Sequence, residues 1–379
     1  MNQNKILDLA CDGVKGLKPY QPGKPISELE REYGVTDIIK LASNENPLGP
    51  SKKAKAAIHG NIDEIYLYPD GNGFELKKTI ADKFGFELDQ ITLGNGSNDI
   101  LELIARVFLT PADEALFSQY SFAVYPLATQ AVGAGMNIVS ALPEDSKMPL
   151  GHDLNAMREA ITDKSKVIFV ANPNNPTGTW LKAKELEDFI ASIPENIIVV
   201  VDEAYFEYVQ EDEYPDCSKL VNKYPNLIVT RTFSKAHGLA GLRVGYSFSS
   251  PEIADLLNRV RQPFNVNLLA QVAAVASLND DEHIAESVRV NTAGLKQIAE
   301  FCEDKGLGYI PSVGNFICIK VGAHNEKLGA AEIDEQLLRN GIIVRPVANY
   351  NMPEYLRVTV GDEAQNTRLL EALESIMEL

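Results

Sequence analysis

The chain is predicted to be an α/β protein: a large domain built on a mostly parallel, helix-covered sheet, followed by a smaller α+β domain. Three observations predict this. From about residue 46 to 260, apolar runs of strand length alternate with helical patterns, the order that strand–helix–strand crossovers produce. The runs Val167-Ile-Phe-Val-Ala171 and Ile197-Ile-Val-Val-Val201 are apolar at every position, as parallel strands covered on both faces require. A length of 379 residues is enough for two domains sharing a large core.

The elements follow in chain order. Residues 1–45 open with a helical pattern and then carry Pro19, Pro22 and Pro25, so an arm followed by an extended connection is expected there. Residues 46–260 are assigned to the large domain. Its expected strands are Ile91–Leu93, Ala115–Ser118, Asn137–Ser140, Val167–Ala171, Ile197–Asp202, Leu227–Thr230 and Val244–Phe248. Ile100, Leu101, Leu103, Ile104, Val107 and Phe108 recur with helical spacing directly after the turn Gly94-Asn-Gly96. Ile253, Leu256, Leu257 and Val260 predict a helix that stops before Pro263, and a second begins after Asn267. Residues 261–379 are assigned to this linker helix and the small domain. That domain is expected to hold a long helix near 281–305, strands near Phe316–Val321, Ile342–Arg345 and Tyr355–Val360, and a helix from about Glu363.

Composition narrows the class. With 45% hydrophobic and 23% charged residues the chain is ordinary globular material. No run approaches the ~18 apolar residues of a membrane helix, and the first residues lack a secretory apolar core, so a cytoplasmic location is expected. A formal net charge of −18 argues against a basic nucleic-acid surface. Anionic small molecules would need a locally positive pocket. Cys11, Cys217, Cys302 and Cys318 show no C-x-x-C spacing, and His59, His152, His237, His283 and His324 form no ligand cluster in sequence. No metal is expected.

Four segments carry chemistry. In Arg231-Thr-Phe-Ser-Lys235, followed by Gly241-Leu-Arg243, a lysine stands just past an apolar run with hydroxyls and an arginine nearby. Burial lowers a lysine's pKa and makes its amine a Schiff-base nucleophile, while hydroxyls and arginine suit a phosphate. Pyridoxal phosphate presents an aldehyde and a phosphate together. Asp202 closes the second apolar run, followed by Tyr205; an acid there pairs with a pyridinium nitrogen, or simply caps a helix. Asn172-Pro-Asn-Asn-Pro-Thr-Gly178 ends the first run in a turn-rich loop. Gly94-Asn-Gly-Ser-Asn98 sits between strand and helix, where free backbone N–H groups bind phosphate.

Taken together these segments resemble the fold-type I pyridoxal-phosphate aminotransferases and, within them, the histidinol-phosphate aminotransferase branch. The resemblance runs from Lys18-Pro-Tyr-Gln-Pro-Gly23 through Ser43-Asn-Glu-Asn-Pro47, Tyr68-Pro-Asp-Gly71 and Asp202-Glu-Ala-Tyr205 to Leu356-Arg-Val-Thr-Val-Gly361. It implies the fold-type I architecture and pyridoxal 5'-phosphate as cofactor. It makes Lys235 the lysine that carries the cofactor and moves the proton, Asp202 the partner of the ring nitrogen, and Tyr205 and Asn172 the contacts of the phenolic oxygen. Gly96, Ser97, Asn98, Thr232, Ser234 and Arg243 would hold the phosphate. Tyr120 would lie over the ring, although its context also permits a core aromatic, the commoner fate of such a residue.

For the substrate, the resemblance implies Arg357 as the carboxylate ligand, Arg345 as a second cation, and Tyr20, Asn44, Tyr68 and Asn172 as further contacts, with Tyr68 reaching in from a second subunit of a homodimer. An arginine at a strand end can equally form a surface ion pair of small weight. The implied reaction exchanges an amino group between L-histidinol phosphate and 2-oxoglutarate in histidine biosynthesis. The alternatives on the same scaffold are an aromatic-amino-acid aminotransferase and a threonine-phosphate decarboxylase. His237, close to Lys235, is read as a packing or hydrogen-bonding residue.

Overall fold

The computed structural model of the protein describes residues 6–20, 22–322 and 328–378. Residues 1–5 of the expected arm, and His324, lie outside them. The strands, in chain order, are β1 (Ile39–Lys40), β2 (Ile91–Gly94), β3 (Glu114–Ser118), β4 (Gly135–Val139), β5 (Ser165–Ala171), β6 (Ile198–Asp202), β7 (Leu227–Thr232) and β8 (Gly245–Phe248), then β9 (Gly308–Ile310), β10 (Phe316–Lys320), β11 (Ile342–Ile343), β12 (Arg345–Pro346) and β13 (Tyr355–Thr359).

Strands β2 to β8 form one seven-stranded sheet in the order β2-β8-β7-β6-β5-β3-β4. All its pairings are parallel except those of β8, which runs antiparallel to β2 and β7. Side chains alternate across the two buried faces, as strand geometry dictates. On one face Ile168, Val170, Val199, Val201, Leu227 and Val229 join the helices Phe74–Phe84, Ala183–Ser192 and Leu268–Leu278. On the other, Val167, Phe169, Ile198, Val200 and Ile228 meet the helices Ser97–Phe108, Val124–Ala131 and Pro251–Val260. Fully burying each such Val, Leu, Ile or Phe contributes about 1.5–3 kcal/mol, which explains why the runs contain no polar interruption.

The seven strands expected from sequence are the seven of this sheet. Their ends shift by a residue or two. Strand β7 runs on to Thr232 because Arg231 and Thr232 pair with Tyr246 and Gly245 of β8, a ladder that apolar patterning does not register.

A four-stranded antiparallel sheet, β12-β13-β10-β9, lies near the C-terminus and packs on the helices Asp281–Asp304, Ala330–Arg339 and Glu363–Met377. Strand β9 has no apolar run and was not expected. The residues around 260 do not separate two cores: Val266, Ala270, Ala273, Ala274 and Leu278 bury against the large sheet. The N-terminal segment is also integrated. Strand β1 pairs in parallel with β11, and Leu29 and Ala42 bury with Leu338 and Ile343. The described residues contain no helix long and apolar enough to cross a membrane.

Candidate active site

The carboxyl ends of β5, β6 and β7 open into a cavity, the position at which open α/β sheets bind ligands. Alternation decides what each strand contributes. Asp202 ends β6 on the face of Val200, while the next residue, Glu203, points to the opposite face and pairs with buried Arg231. Asp202 therefore lines the cavity and Glu203 anchors the sheet behind it.

Lys235 stands in the loop that follows β7 and lines the same cavity. Its Nζ donates to the Ser43 carbonyl at 3.2 Å and lies 5.6 Å from the centre of the Tyr205 ring. Burial lowers its pKa to about 7, helped by the charges of Arg357 and Arg243 and opposed by Glu45 and Asp202. Burial acts the other way on Asp202, raising its pKa, while hydroxyls of Thr230 (2.9 Å) and Tyr125 (3.0 Å) donate to its two oxygens and counter the shift. Tyr205 is buried; its Oη accepts from the Asn44 side-chain amide at 2.8 Å, and desolvation raises its pKa. Asn44 is fixed in turn by Thr359, whose Oγ1 accepts its backbone N–H at 2.8 Å.

The anion cradle forms where the helix Ser97–Phe108 begins. Ser97, Asn98, Thr232, Ser234 and Arg243 all line the cavity. The Arg243 guanidinium donates to Ser234 Oγ at 3.3 Å and to the Ala240 carbonyl at 3.1 Å. Gly96 does not line the cavity. It makes room: with φ +83°, a Cβ built there would lie 2.4 Å from an Arg243 nitrogen. Arg243 itself has φ +57°, a left-handed backbone that costs a non-glycine residue roughly 1–3 kcal/mol and concentrates at functional sites. Free N–H groups, a helix start, hydroxyls and a guanidinium together suit a phosphate.

The opposite wall is made by Arg345 and Arg357, both buried and both lining the cavity, with Tyr20 at its rim. Arg357 donates to Asn175 Oδ1 at 2.5 Å and to the Ala42 carbonyl at 2.8 Å, while its buried Nε has no partner. The Arg345 guanidinium lies 5.8 Å from the Tyr20 ring centre. Four cationic side chains and one carboxylate thus face this space, which gives an acidic chain the positive pocket that its anionic ligands need.

Two further expected assignments change. Asn172 is fully buried, but its side chain brackets the Leu181 backbone, accepting from its N–H at 2.9 Å and donating to its carbonyl at 3.3 Å. The cavity is lined instead by Asn175, because the turn Asn172-Pro-Asn-Asn-Pro176 carries its third asparagine back under the strand ends. Tyr120 packs against the cluster that holds Tyr350, Met352 and Tyr355, its carbonyl accepting from Asn174, and Phe122 takes the place on the cavity wall. Tyr68, expected to serve a neighbouring subunit, is 81% exposed and stacks on Phe264, centroids 4.6 Å apart, outside the cavity of its own chain.

Tyr125 and Thr230 were missed altogether. Tyr125 follows Phe122 at helical spacing and could have been noted as its neighbour. Thr230 was counted only as a strand end. His237 is tied to Ser277 Oγ at 2.7 Å and Glu207 at 3.4 Å, and does not line the cavity.

Comparison with known proteins identifies the family. Histidinol-phosphate aminotransferase 2 of Pseudomonas fluorescens is 55% identical over 374 residues, covering 98% of both chains. Histidinol-phosphate aminotransferase 1 of Nitrosococcus oceani is 52% identical over 378 residues, covering 100% of this chain and 99% of its own. Among solved structures, the histidinol-phosphate aminotransferase of Sinorhizobium meliloti in complex with pyridoxal-5'-phosphate is similar with a TM-score of 0.87 at 26% identity, covering 98% of each chain. The L-threonine-O-3-phosphate decarboxylase of Porphyromonas gingivalis shares the fold, with a TM-score of 0.77 at 22% identity over 90% of this chain and all of its own. The family model for aminotransferases of class I and II matches residues 36–373, and the chain belongs to that family.

Proposed function

We propose that the protein is a pyridoxal-phosphate-dependent transaminase that takes the amino group of L-histidinol phosphate and passes it to 2-oxoglutarate, giving imidazole acetol phosphate and glutamate in L-histidine biosynthesis. The observation that carries this reading is a half-buried lysine, Lys235, set among Asp202, a phosphate cradle and two arginines in one cavity. The full-length relatives bear that activity in their names.

The residues present fit the cofactor. Ser97, Asn98, Thr232, Ser234 and Arg243 would hold its phosphate, Asp202 its ring nitrogen, Tyr205 and Asn175 its phenolic oxygen, and Lys235 its aldehyde carbon. When bound, pyridoxal phosphate supplies an aldehyde that takes up amines and a ring that withdraws electrons from the substrate's reacting carbon.

The chain's own groups do the rest. With its pKa near 7, the Lys235 amine is about half neutral at neutral pH and more so above it, so Nζ can accept a proton from the substrate carbon and return it. Asp202 keeps a proton on the ring nitrogen by its charge. Arg357 and Arg345 orient the substrate through its anionic group. Both proposed substrates carry more than one negative charge, as histidinol phosphate's phosphate or as two carboxylates, which suits two buried guanidiniums better than a singly charged phenylalanine or tyrosine would.

The exposed residues Ile65, Tyr66, Leu67, Tyr68 and Phe74, with Phe264 beside them, support a homodimer in which Tyr68 reaches the neighbouring subunit's cavity. A cytoplasmic location belongs to the same reading.

The test compares substrates in one assay with 2-oxoglutarate as acceptor. Histidinol phosphate should turn over with far higher kcat/KM than phenylalanine. Threonine phosphate should release no carbon dioxide. Efficient turnover of phenylalanine with none of histidinol phosphate, or release of carbon dioxide from threonine phosphate, rejects the assignment.

A further inference from the structure

We infer that Tyr125, with Thr230, is a positioning residue that holds Asp202 ionised against its buried surroundings and thereby sets the protonation of the cofactor's ring nitrogen. The inference rests on the cofactor assignment above and extends it to residues outside the cavity lining.

The geometry is specific. Tyr125 is fully buried in the first turn of the helix Val124–Ala131. Its Oη donates to Asp202 Oδ2 at 3.0 Å, while Thr230 Oγ1 donates to Oδ1 at 2.9 Å. Thr230 is the direct register partner of Asp202 on β7, so the sheet itself delivers that second hydroxyl. Each carboxylate oxygen therefore receives a neutral O–H donor. A carboxylic acid needs to donate on one side, and there it would meet a hydroxyl hydrogen; the hydroxyl would have to turn away. The arrangement thus favours the ionised form, which accepts from both sides.

The tyrosine is held in place independently of that bond. Its ring stacks on Phe169, centroids 4.7 Å apart at 9°, and meets Phe122 edge-on at 5.9 Å. Phe122 lines the cavity wall, so one side chain braces both the wall and the carboxylate at its floor. The titratable groups that face Asp202 besides Tyr125 are Lys235, which opposes the effect of burial on it, and Tyr205. Burial raises the pKa of both tyrosines, so they stay protonated over the working pH range and only Lys235 changes charge near neutrality.

The test uses Tyr125→Phe and Thr230→Val holoenzymes carrying cofactor labelled at its ring nitrogen. The expected result for Tyr125→Phe is a normal content of lysine-linked cofactor, a ring-nitrogen NMR shift moved toward the unprotonated form, and a kcat lower by on the order of tenfold, the scale of one hydrogen bond to a charged group. KM for either substrate should change little, since the tyrosine does not line the substrate wall. Thr230→Val should move the same resonance in the same direction. If Tyr125→Phe retains cofactor while the nitrogen shift stays at the wild-type position, the inference is overturned. Unaltered wild-type protein that takes up no cofactor at Lys235 would instead reject the reading on which it rests.

Discussion

Arg345 and Arg357 are direct register partners across the antiparallel strands β12 and β13, and both line one wall of the cavity. Like charges placed opposite each other in a sheet repel, and an anion bound between them relieves that cost. The pair's position beside Lys235 gives that cost a purpose.

The first prediction follows from this pair. Arg357→Lys keeps a charge but loses the planar fork, whose Nη1 and Nη2 are already committed to Asn175 and Ala42. Loss of a charged hydrogen bond is worth about 1.5–3 kcal/mol, so kcat/KM for histidinol phosphate should fall by roughly ten- to a hundredfold. Arg345→Gln should raise KM for both dianionic substrates. Steady-state kinetics of the two variants check this, and an unchanged KM in both would remove the arginine wall from substrate binding.

The second prediction concerns pH. Burial holds Lys235 at about 7 in the folded chain, against an ordinary value of 10.5. Below 7 both folded and unfolded chains carry the charge, and the folded form bears the full cost of burying it. Between about 7 and 10.5 the unfolded chain binds a proton that the folded chain does not, so stability rises with pH through this window. Lys235→Met has no such charge. Cofactor-free Lys235→Met should therefore be more stable than the cofactor-free parent at pH 6, and the gap should shrink toward pH 10. Parallel thermal melts measure it; a gap independent of pH contradicts the lowered pKa.

The sheet was legible because its information is local: each strand is an apolar run closed by a polar residue, and burial on both faces writes every position alike. Lys235, Asp202, Tyr205 and Arg243 were legible for the same reason, standing at or just beyond the ends of those runs. Asn172 and Tyr120 were misplaced because the choice lies between neighbours of similar chemistry. In Asn172-Pro-Asn-Asn-Pro176 the path of the turn, not its composition, decides which asparagine faces inward. In Tyr120-Ser-Phe122 the decision falls to the cluster that includes Tyr350 and Met352, residues more than two hundred positions away in sequence. The contribution of Thr230 to Asp202 depends on register between β6 and β7, which no single strand reveals.

The third prediction separates the two asparagines. Asn175→Ala removes the partner of Arg357 inside the cavity, so it should weaken cofactor affinity and kcat/KM by about tenfold or more while leaving the melting temperature of the cofactor-free protein nearly unchanged. Asn172→Ala leaves the Leu181 N–H and carbonyl unpaired in the core, at about 1–3 kcal/mol for each buried group, and should lower that melting temperature. Cofactor titration followed by absorbance, together with melts of both variants, distinguishes them. The reverse pattern would restore Asn172 to the site.

The fourth prediction tests what holds the strand ends beneath the site. Arg231 on β7 is fully buried; its Nε and Nη2 donate to Glu203 Oε2 at 3.0 and 2.7 Å, Nη2 also reaches Asp216 at 2.6 Å, and the guanidinium lies 3.7 Å from the Phe206 ring centre. Glu203 accepts in addition from the Cys217 N–H at 2.9 Å. Because Glu203 follows Asp202 and Thr232 follows Arg231, this ion pair clamps together the two strand ends that carry the chemistry. Removing one partner leaves a buried charge uncompensated, at about 3–5 kcal/mol, whereas replacing both by apolar residues of similar volume is often near neutral. Arg231→Met should therefore destabilise the cofactor-free protein severely, and Glu203→Met with Arg231→Met should recover much of the loss, with Asp216 left at the edge where water can reach it. Urea unfolding of the single and double variants measures the difference. A double variant as unstable as the sum of the two single variants would mean that the pair is not acting as a unit, and that each residue supports the strand ends through separate contacts.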